Sequence, residues 1–161
     1  MGVTLAITFE PRDLAAILAL TVSAVALFVS IWVHKRTRSM ALYSDIDRLY
    51  LELLRLAIEH PNFADPEYTN EYPTKFDSEE RARYELYAFI AWNICETIVD
   101  REDDKLTFQS WEPILALEST LHKKWFESES NRNRFKECFK KYMKQNKERL
   151  QDIANGRAKS A

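Results

Sequence analysis

The sequence predicts an all-α protein in which one N-terminal transmembrane helix is followed by a cytoplasmic bundle of about four helices. Three observations predict this fold class. Residues 14–33 contain no charged side chain. The chain has only two Gly and five Pro in 161 residues, which leaves few sites for tight turns. Apolar side chains in the rest of the chain recur every three or four residues, the spacing of amphipathic helices.

Residues 14–33 have the length and the composition of a membrane span. A helix rises about 1.5 Å per residue, so this segment covers roughly 30 Å, the thickness of a hydrocarbon core. Its polar side chains are Thr21, Ser23 and Ser30, whose hydroxyls can bond to the preceding turn. A cleaved signal peptide would need a basic start and a shorter apolar stretch. We therefore expect a retained span.

Basic side chains are concentrated after the span. Lys35, Arg36 and Arg38 follow it, whereas Arg12 precedes it beside two acidic residues. Flanking Lys and Arg stay on the cytoplasmic side of a membrane. We therefore expect residues 1–13 outside and residues 34–161 in the cytoplasm, as a single-pass protein of the bacterial inner membrane in contact with membrane lipid.

Two stripes predict a homo-oligomer. Small residues on one face of the span would let two helices approach closely: Ala15, Ala19, Ser23, Ala26 and Ser30. An apolar seam with heptad-like spacing follows in a predicted helix over residues 37–60: Leu42, Ile46, Leu49, Leu53 and Leu56. Alternatively, the small residues reflect the ordinary composition of membrane helices, and the seam packs within its own helical domain.

The secondary structure of the remaining segments is predicted from helix-breaking residues and from the spacing of apolar residues. Residues 61–77 hold three Pro and four aromatic residues, which predicts a loop packed on the domain. Asp77 and Glu80 form a capping-box-like start for a helix over 80–99. Its apolar face is predicted to consist of Tyr84, Tyr87, Ala88, Ala91, Ile94, Cys95 and Ile98.

Two further helices are predicted after an acidic turn at residues 100–105. The first covers about 109–122, with Pro113 in its first turn, where Pro is tolerated. A break at 127–131 separates it from a last long helix over about 131–154. Cys95 and Cys138 are both expected to be buried, reduced thiols.

Charge is unevenly distributed after the span. Residues 39–122 hold seven Lys or Arg and eighteen Asp or Glu, which gives a net charge of −11. Residues 123–161 hold twelve Lys or Arg and five Asp or Glu, which gives a net charge of +7. Such a basic segment can fold back on the acidic one, pair between subunits, or hold an anionic partner such as RNA or lipid headgroups. The lysines predicted to bind that partner are Lys136, Lys140, Lys141, Lys144 and Lys147.

Sites for chemistry are scarce in the sequence. Two glycines cannot build a phosphate loop, and two cysteines with three scattered histidines do not match a metal motif, so we expect no cofactor and no metal. Arg55 and His60 have the R-x4-H spacing of HEPN ribonucleases, in which His can move a proton and Arg can hold a phosphate. A solvated pair at a helix end is the alternative.

Most of the chain resembles a widespread group of uncharacterised bacterial single-span proteins with a small helical domain. The stretches that carry this resemblance are "LRLAIEHPNFADPEY", the helix over 80–99, "SWEPILALESTLHKKWFES" and "RFKECFKKYM". The order of anchor, helical domain and R-x4-H pair also resembles the membrane accessory protein of type VI-B CRISPR systems, a divergent HEPN family. That second resemblance implies phage defence and a pore-like assembly.

The expected function is therefore non-enzymatic: a membrane-anchored helical protein that acts by self-association and by binding a protein or other partner at the inner face of the membrane. The alternative is a membrane-tethered HEPN-type ribonuclease that uses Arg55 and His60. A third interpretation is a small structural subunit of a larger membrane complex.

Overall fold

A computed structural model describes the backbone of residues 11–156 and the side chains of residues 14–34, 37 and 43–156. This part of the chain is all-helical and contains no strand, which confirms the predicted fold class. The chain divides into two compact units between Ala41 and Leu42. The first long helix, α1 (Pro11–Glu59), contributes residues to both units, which are described separately.

The first unit contains the apolar segment. Leu14–His34 is long and apolar enough to cross a membrane, with a mean hydropathy of 2.6 and no buried residue in its most apolar stretch. The hydroxyl of Thr21 donates to the Leu18 carbonyl, and that of Ser23 donates to the Ala19 carbonyl, each over 2.8 Å. These two hydroxyls are therefore satisfied within the helix, as predicted.

The second unit is a bundle of helices of unequal length. After α1 comes a 3₁₀ helix (Pro61–Ala64). The α-helices that follow are α2 (Pro66–Thr69), α3 (Tyr72–Lys75), α4 (Ser78–Val99), α5 (Lys105–Leu121), α6 (Lys123–Phe126), α7 (Glu129–Arg132), α8 (Glu137–Gln145) and α9 (Lys147–Ala154).

Helix α5 packs against α4 and α9, and α4 also packs against α3, α6 and α8. One continuous core of buried apolar side chains joins these helices to the end of α1. All seven residues predicted for the apolar face of α4 are at most 3% exposed. The other members of the core are Ile46, Leu53, Phe63, Phe76, Trp92, Phe108, Trp111, Leu115, Ala116, Trp125, Phe135, Phe139, Tyr142 and Leu150.

Aspartates begin three of the helices. Asp77 accepts hydrogen bonds from the backbone N–H groups of Glu79 and Glu80, each over 2.9 Å. Asp65 accepts from the N–H of Glu67 at the start of α2. At the start of α5, the Asp104 side chain accepts hydrogen bonds from the backbone N–H of Thr107 and, over 2.9 Å, from the Thr107 hydroxyl. These short acidic side chains satisfy N–H groups that have no partner inside the helix.

The segment 61–77 is more regular than predicted. It contains the 3₁₀ helix and the one-turn helices α2 and α3, and each has a Pro at its first or second position. Pro suits these positions because it fixes a helical φ and has no N–H to satisfy. The aromatic residues do pack on the domain: the ring of Phe63 lies 5.4 Å from Phe76 and 5.7 Å from Tyr84.

Helix α5 begins four residues earlier than predicted. The cap at Asp104 starts it at Lys105, so Pro113 lies inside the helix and not in its first turn. The predicted break at 127–131 also contains the start of a one-turn helix, α7.

The predicted last helix over 131–154 is two helices, α8 and α9. They are separated at Asn146, whose side-chain amide donates to the Tyr142 carbonyl over 3.0 Å, a local bond that competes with helix continuation. Cys95 is buried as expected, but Cys138 is exposed. Phe139 and Tyr142 of α8 are buried, whereas Cys138, in the first turn of this helix, is exposed.

Candidate anion-binding groove

A groove of about 690 Å³ lies on the surface of the second unit. It is bounded by α4 to α9, and we call it the basic groove. Its apolar lining consists of Trp92, Phe126, Met143 and Leu150, together with the hydrophobic stems of lysines. Its charged lining consists of Lys123, Glu127, Arg132, Glu137, Lys140, Lys141, Lys144 and Lys147.

Positive charge dominates the basic groove. Six cationic side chains face two carboxylates along its lining, which leaves a formal charge of +4. The two acids are occupied by neighbours: Glu127 pairs with Lys123 over 4.0 Å, and Glu137 pairs with Lys140. Within the described part of the chain, Lys141, Lys144 and Lys147 have no acidic partner within 4.0 Å. These three ammonium groups are therefore available to an external anion.

The floor of the basic groove is rigid and apolar. Trp92 is 3% exposed, and its ring stacks on Phe126 with centroids 3.8 Å apart and planes 16° apart. The indole N–H of Trp92 donates to the backbone carbonyl of His122 over 3.1 Å, which fixes the ring between α4 and the end of α5. Each of the two rings therefore has one face covered by the other ring.

Four of the five lysines predicted to bind an anion line this groove: Lys140, Lys141, Lys144 and Lys147. The fifth, Lys136, does not line it. Its Nζ pairs with Asp100 over 2.6 Å, and its backbone N–H donates to Glu96 over 2.9 Å. The bond to Asp100 raises the pKa of Lys136. Lys136 therefore fastens the start of α8 to the end of α4.

Arg55 and His60 lie at the end of α1 and do not line the basic groove. The Arg55 guanidinium bonds to the Glu52 carboxylate over 2.8 Å, and its side chain is 70% exposed. The His60 ring stacks on Phe63 at a centroid distance of 4.9 Å. No group of three or more potential metal-ligating side chains occurs among the residues that the structure describes.

The residues predicted for self-association fall into three classes. Every member of the small face in the span is exposed: Ala15, Ala19, Ser23, Ala26 and Ser30. In the seam, Ile46 and Leu53 are 1% and 0% exposed within their own chain, whereas Leu49 is 43% exposed. The Leu42 side chain lies outside the described residues. The seam thus contributes to the core of its own unit.

Sequence reasoning missed a buried polar network in the second unit, which we call the Glu118–His122 network. Glu118 Oε2 lies 3.3 Å from His122 Nε2, and both side chains are at most 5% exposed. The other imidazole nitrogen is 3.1 Å from the Tyr84 hydroxyl, and the Tyr50 hydroxyl donates to Glu118 over 3.3 Å. The sequence signal for this network is the spacing of Glu118 and His122 on a predicted helix, since residues four apart share a helix face and can contact each other.

This network perturbs the groups around it. Burial raises the pKa of Tyr50 and Tyr84, and the nearby Glu118 carboxylate raises both further. Burial also raises the pKa of the Cys95 thiol, with a second contribution from Glu118. The network joins α1, α4 and α5 from within the core and thereby supports the helices that carry the groove.

Comparison with known proteins gives no relative: no protein-family model, no curated protein and no solved structure matches this chain. The basic groove and the apolar segment are therefore the features from which a function can be inferred.

Proposed function

We propose that this protein is a non-enzymatic, membrane-anchored binding protein that holds an anionic partner in its basic groove. The observation that carries the proposal is a set of three lysines above an apolar floor, Lys141, Lys144 and Lys147, for which the described residues provide no acidic partner. The charge of a lysine in an ion pair is already neutralised within the fold, whereas the described residues do not neutralise these three. Self-association at the membrane belongs to the same proposal.

The anchor in this proposal is Leu14–His34, the segment that is apolar enough to cross a membrane. The excess of Lys and Arg after it supports a cytoplasmic second unit, as in single-pass proteins of the bacterial inner membrane. A protein held in this way meets its partner at the membrane surface. Tethering also raises the effective concentration of any partner confined to the same surface.

The magnitude of binding follows from the number of contacts. One exposed ion pair contributes about 0.2–1 kcal/mol, too little for a stable complex. An anion with several charges that contacts three lysines adds these increments and releases counterions, so its affinity should fall steeply as salt rises. Molecules with several phosphate groups are the simplest anions with which to test this binding.

The test uses the full chain in neutral detergent and inorganic polyphosphate as the probe. Binding is measured by calorimetric titration at low and at physiological salt. The groove variant carries Lys141→Glu, Lys144→Glu and Lys147→Glu. The control variant carries three charge reversals on exposed residues outside the groove: Lys75→Glu, Arg83→Glu and Lys105→Glu.

We expect salt-dependent binding by the native chain and by the control variant, and its loss in the groove variant. The control has the same net charge as the groove variant, so a nonspecific effect of charge would weaken both equally. Equal weakening, or no binding by the native chain, would overturn the proposal.

A second assay separates binding from catalysis. The full chain is incubated with labelled RNA beside Arg55→Ala and His60→Ala. We expect intact RNA in all three samples. Cleavage by the native chain that disappears in both variants would instead support the tethered ribonuclease.

A further inference from the structure

We propose that the occupant of the basic groove is one molecule of an anionic phospholipid from the bilayer. This inference rests on the proposed function and names the ligand of that same groove. The lysine rim would contact the headgroup phosphate, and the apolar floor would contact the adjoining hydrocarbon.

The size of the groove favours a small ligand. Its volume of about 690 Å³ lies within the range of pockets that bury a small molecule, roughly 300–1,000 Å³. A nucleic acid strand or a protein surface would extend well beyond such a groove and would draw on charge outside it. The charged side chains of residues 42–161 that do not line the groove have a net charge of −8.

The floor favours hydrocarbon over a nucleotide base. A bound base would need an open aromatic face on which to stack. Stacking covers one face of Trp92 and one face of Phe126, and Trp92 is nearly fully buried, so an exposed face for a base is left on Phe126 at most. Met143 is partly exposed on the same floor, and its flexible thioether side chain adapts well to an alkyl chain.

The source of such a ligand follows from the apolar segment. A chain with Leu14–His34 in a bilayer is surrounded by phospholipids, and the cytoplasmic leaflet is rich in anionic ones. Each Lys or Arg near such a surface contributes about 1 kcal/mol of attraction, so three reversed lysines should lower affinity by about a hundredfold.

The experiment is native mass spectrometry of the full chain in neutral detergent. It is titrated with phosphatidylglycerol and, separately, with phosphatidylcholine that has the same acyl chains. We expect one tightly bound phosphatidylglycerol, no tightly bound phosphatidylcholine, and an affinity about a hundredfold lower in the variant with Lys141, Lys144 and Lys147 reversed.

Two further variants locate the lipid. Lys35→Gln, Arg36→Gln and Arg38→Gln together remove the basic residues after the span and should leave the tight lipid bound. Met143→Gln makes the floor polar and should weaken phosphatidylglycerol binding while polyphosphate binding is unchanged. Loss of the lipid in the first of these variants, or an equal effect of Met143→Gln on both probes, would overturn the inference.

The outcomes separate this inference from the proposed function. Polyphosphate binding that depends on the groove lysines, without any preference between the two lipids, would reject the lipid and leave the anion groove in place. A dimer that contains no lipid and dissociates in the groove variant would show that a second copy of the chain is the occupant. Absence of both lipid and polyphosphate binding would reject both proposals.

Discussion

Replacement of His122 by Ala should severely destabilise the second unit. His122 is fully buried, and its imidazole lies between two other buried groups, the Tyr84 hydroxyl at 3.1 Å and the Glu118 carboxylate at 3.3 Å. Removal of the ring takes a polar neighbour from the Tyr84 hydroxyl and from the Glu118 carboxylate, which keeps its hydrogen bond from Tyr50. The backbone carbonyl of His122 remains to accept the Trp92 indole N–H, so this bond to the groove floor is unaffected.

The size of the effect can be worked out from these contacts. A buried hydroxyl left without a partner costs about 1–3 kcal/mol. A buried carboxylate that loses one of its polar neighbours costs about 1–3 kcal/mol more. The combined loss of about 2–6 kcal/mol is a large part of the stability of an ordinary domain. Tyr84→Phe removes only the hydroxyl and should cost about 1 kcal/mol.

The assay is denaturant unfolding of the full chain in neutral detergent, followed by far-ultraviolet circular dichroism. The decisive comparison is the double variant Glu118→Gln and His122→Ala. If the Glu118 carboxylate without its His122 neighbour causes most of the loss, the double variant should be more stable than His122→Ala by more than about 1 kcal/mol. A double variant that is equally or less stable would refute this reasoning and assign the loss to packing.

Two further predictions test the core and the thiols. Leu53→Ala, at a fully buried position, should lower the free energy of unfolding by about 2–5 kcal/mol, whereas Leu51→Ala, at a position 50% exposed, should change it by less than about 0.5 kcal/mol; equal effects in denaturant unfolding would contradict the placement of the seam. An alkylating reagent should modify Cys138 rapidly in the folded chain and Cys95 only after unfolding, because Cys95 is buried and its thiol pKa is raised. Intact-mass measurement counts the modified thiols, and rapid double modification of the folded chain would contradict this result.

The helical elements were predictable where the signal is local. The apolar segment follows from composition alone, and the inward face of α4 follows from spacing, since all seven predicted residues are buried. The start of α4 follows from Asp77, whose side chain binds the first free N–H groups of the helix. None of these features depends on contacts between distant parts of the chain.

Errors arose at the ends of helices, which depend on tertiary structure. Cys138 was expected to be buried within one helix over 131–154, but α8 begins at Glu137, so Cys138 lies in its first turn and is exposed. Phe139 and Tyr142 are the buried residues of this helix. Their aromatic rings bury far more apolar area than one thiol does.

The Glu118–His122 network was beyond sequence reasoning for a different reason. Charged and polar residues four apart on a helix normally face solvent, and the spacing alone gives no reason to bury them. Glu118 and His122 can be buried because tyrosine hydroxyls contact them. Tyr50 lies 68 residues before Glu118, and Tyr84 lies 38 residues before His122. The role of Lys136 could not be predicted either, because its partner Asp100 lies 36 residues earlier in the chain.

The charge imbalance along the chain is only partly neutralised by folding. Lys136 pairs with Asp100 and Arg149 pairs with Glu112, so some of the basic C-terminal segment does fold back on the acidic one. Lysines in α8 remain clustered at spacings of three and four residues, where like charges destabilise a helix by about 0.2–0.5 kcal/mol per pair. The stability of the unit does not account for a cluster that opposes folding, whereas the proposed binding of an anion would relieve this repulsion.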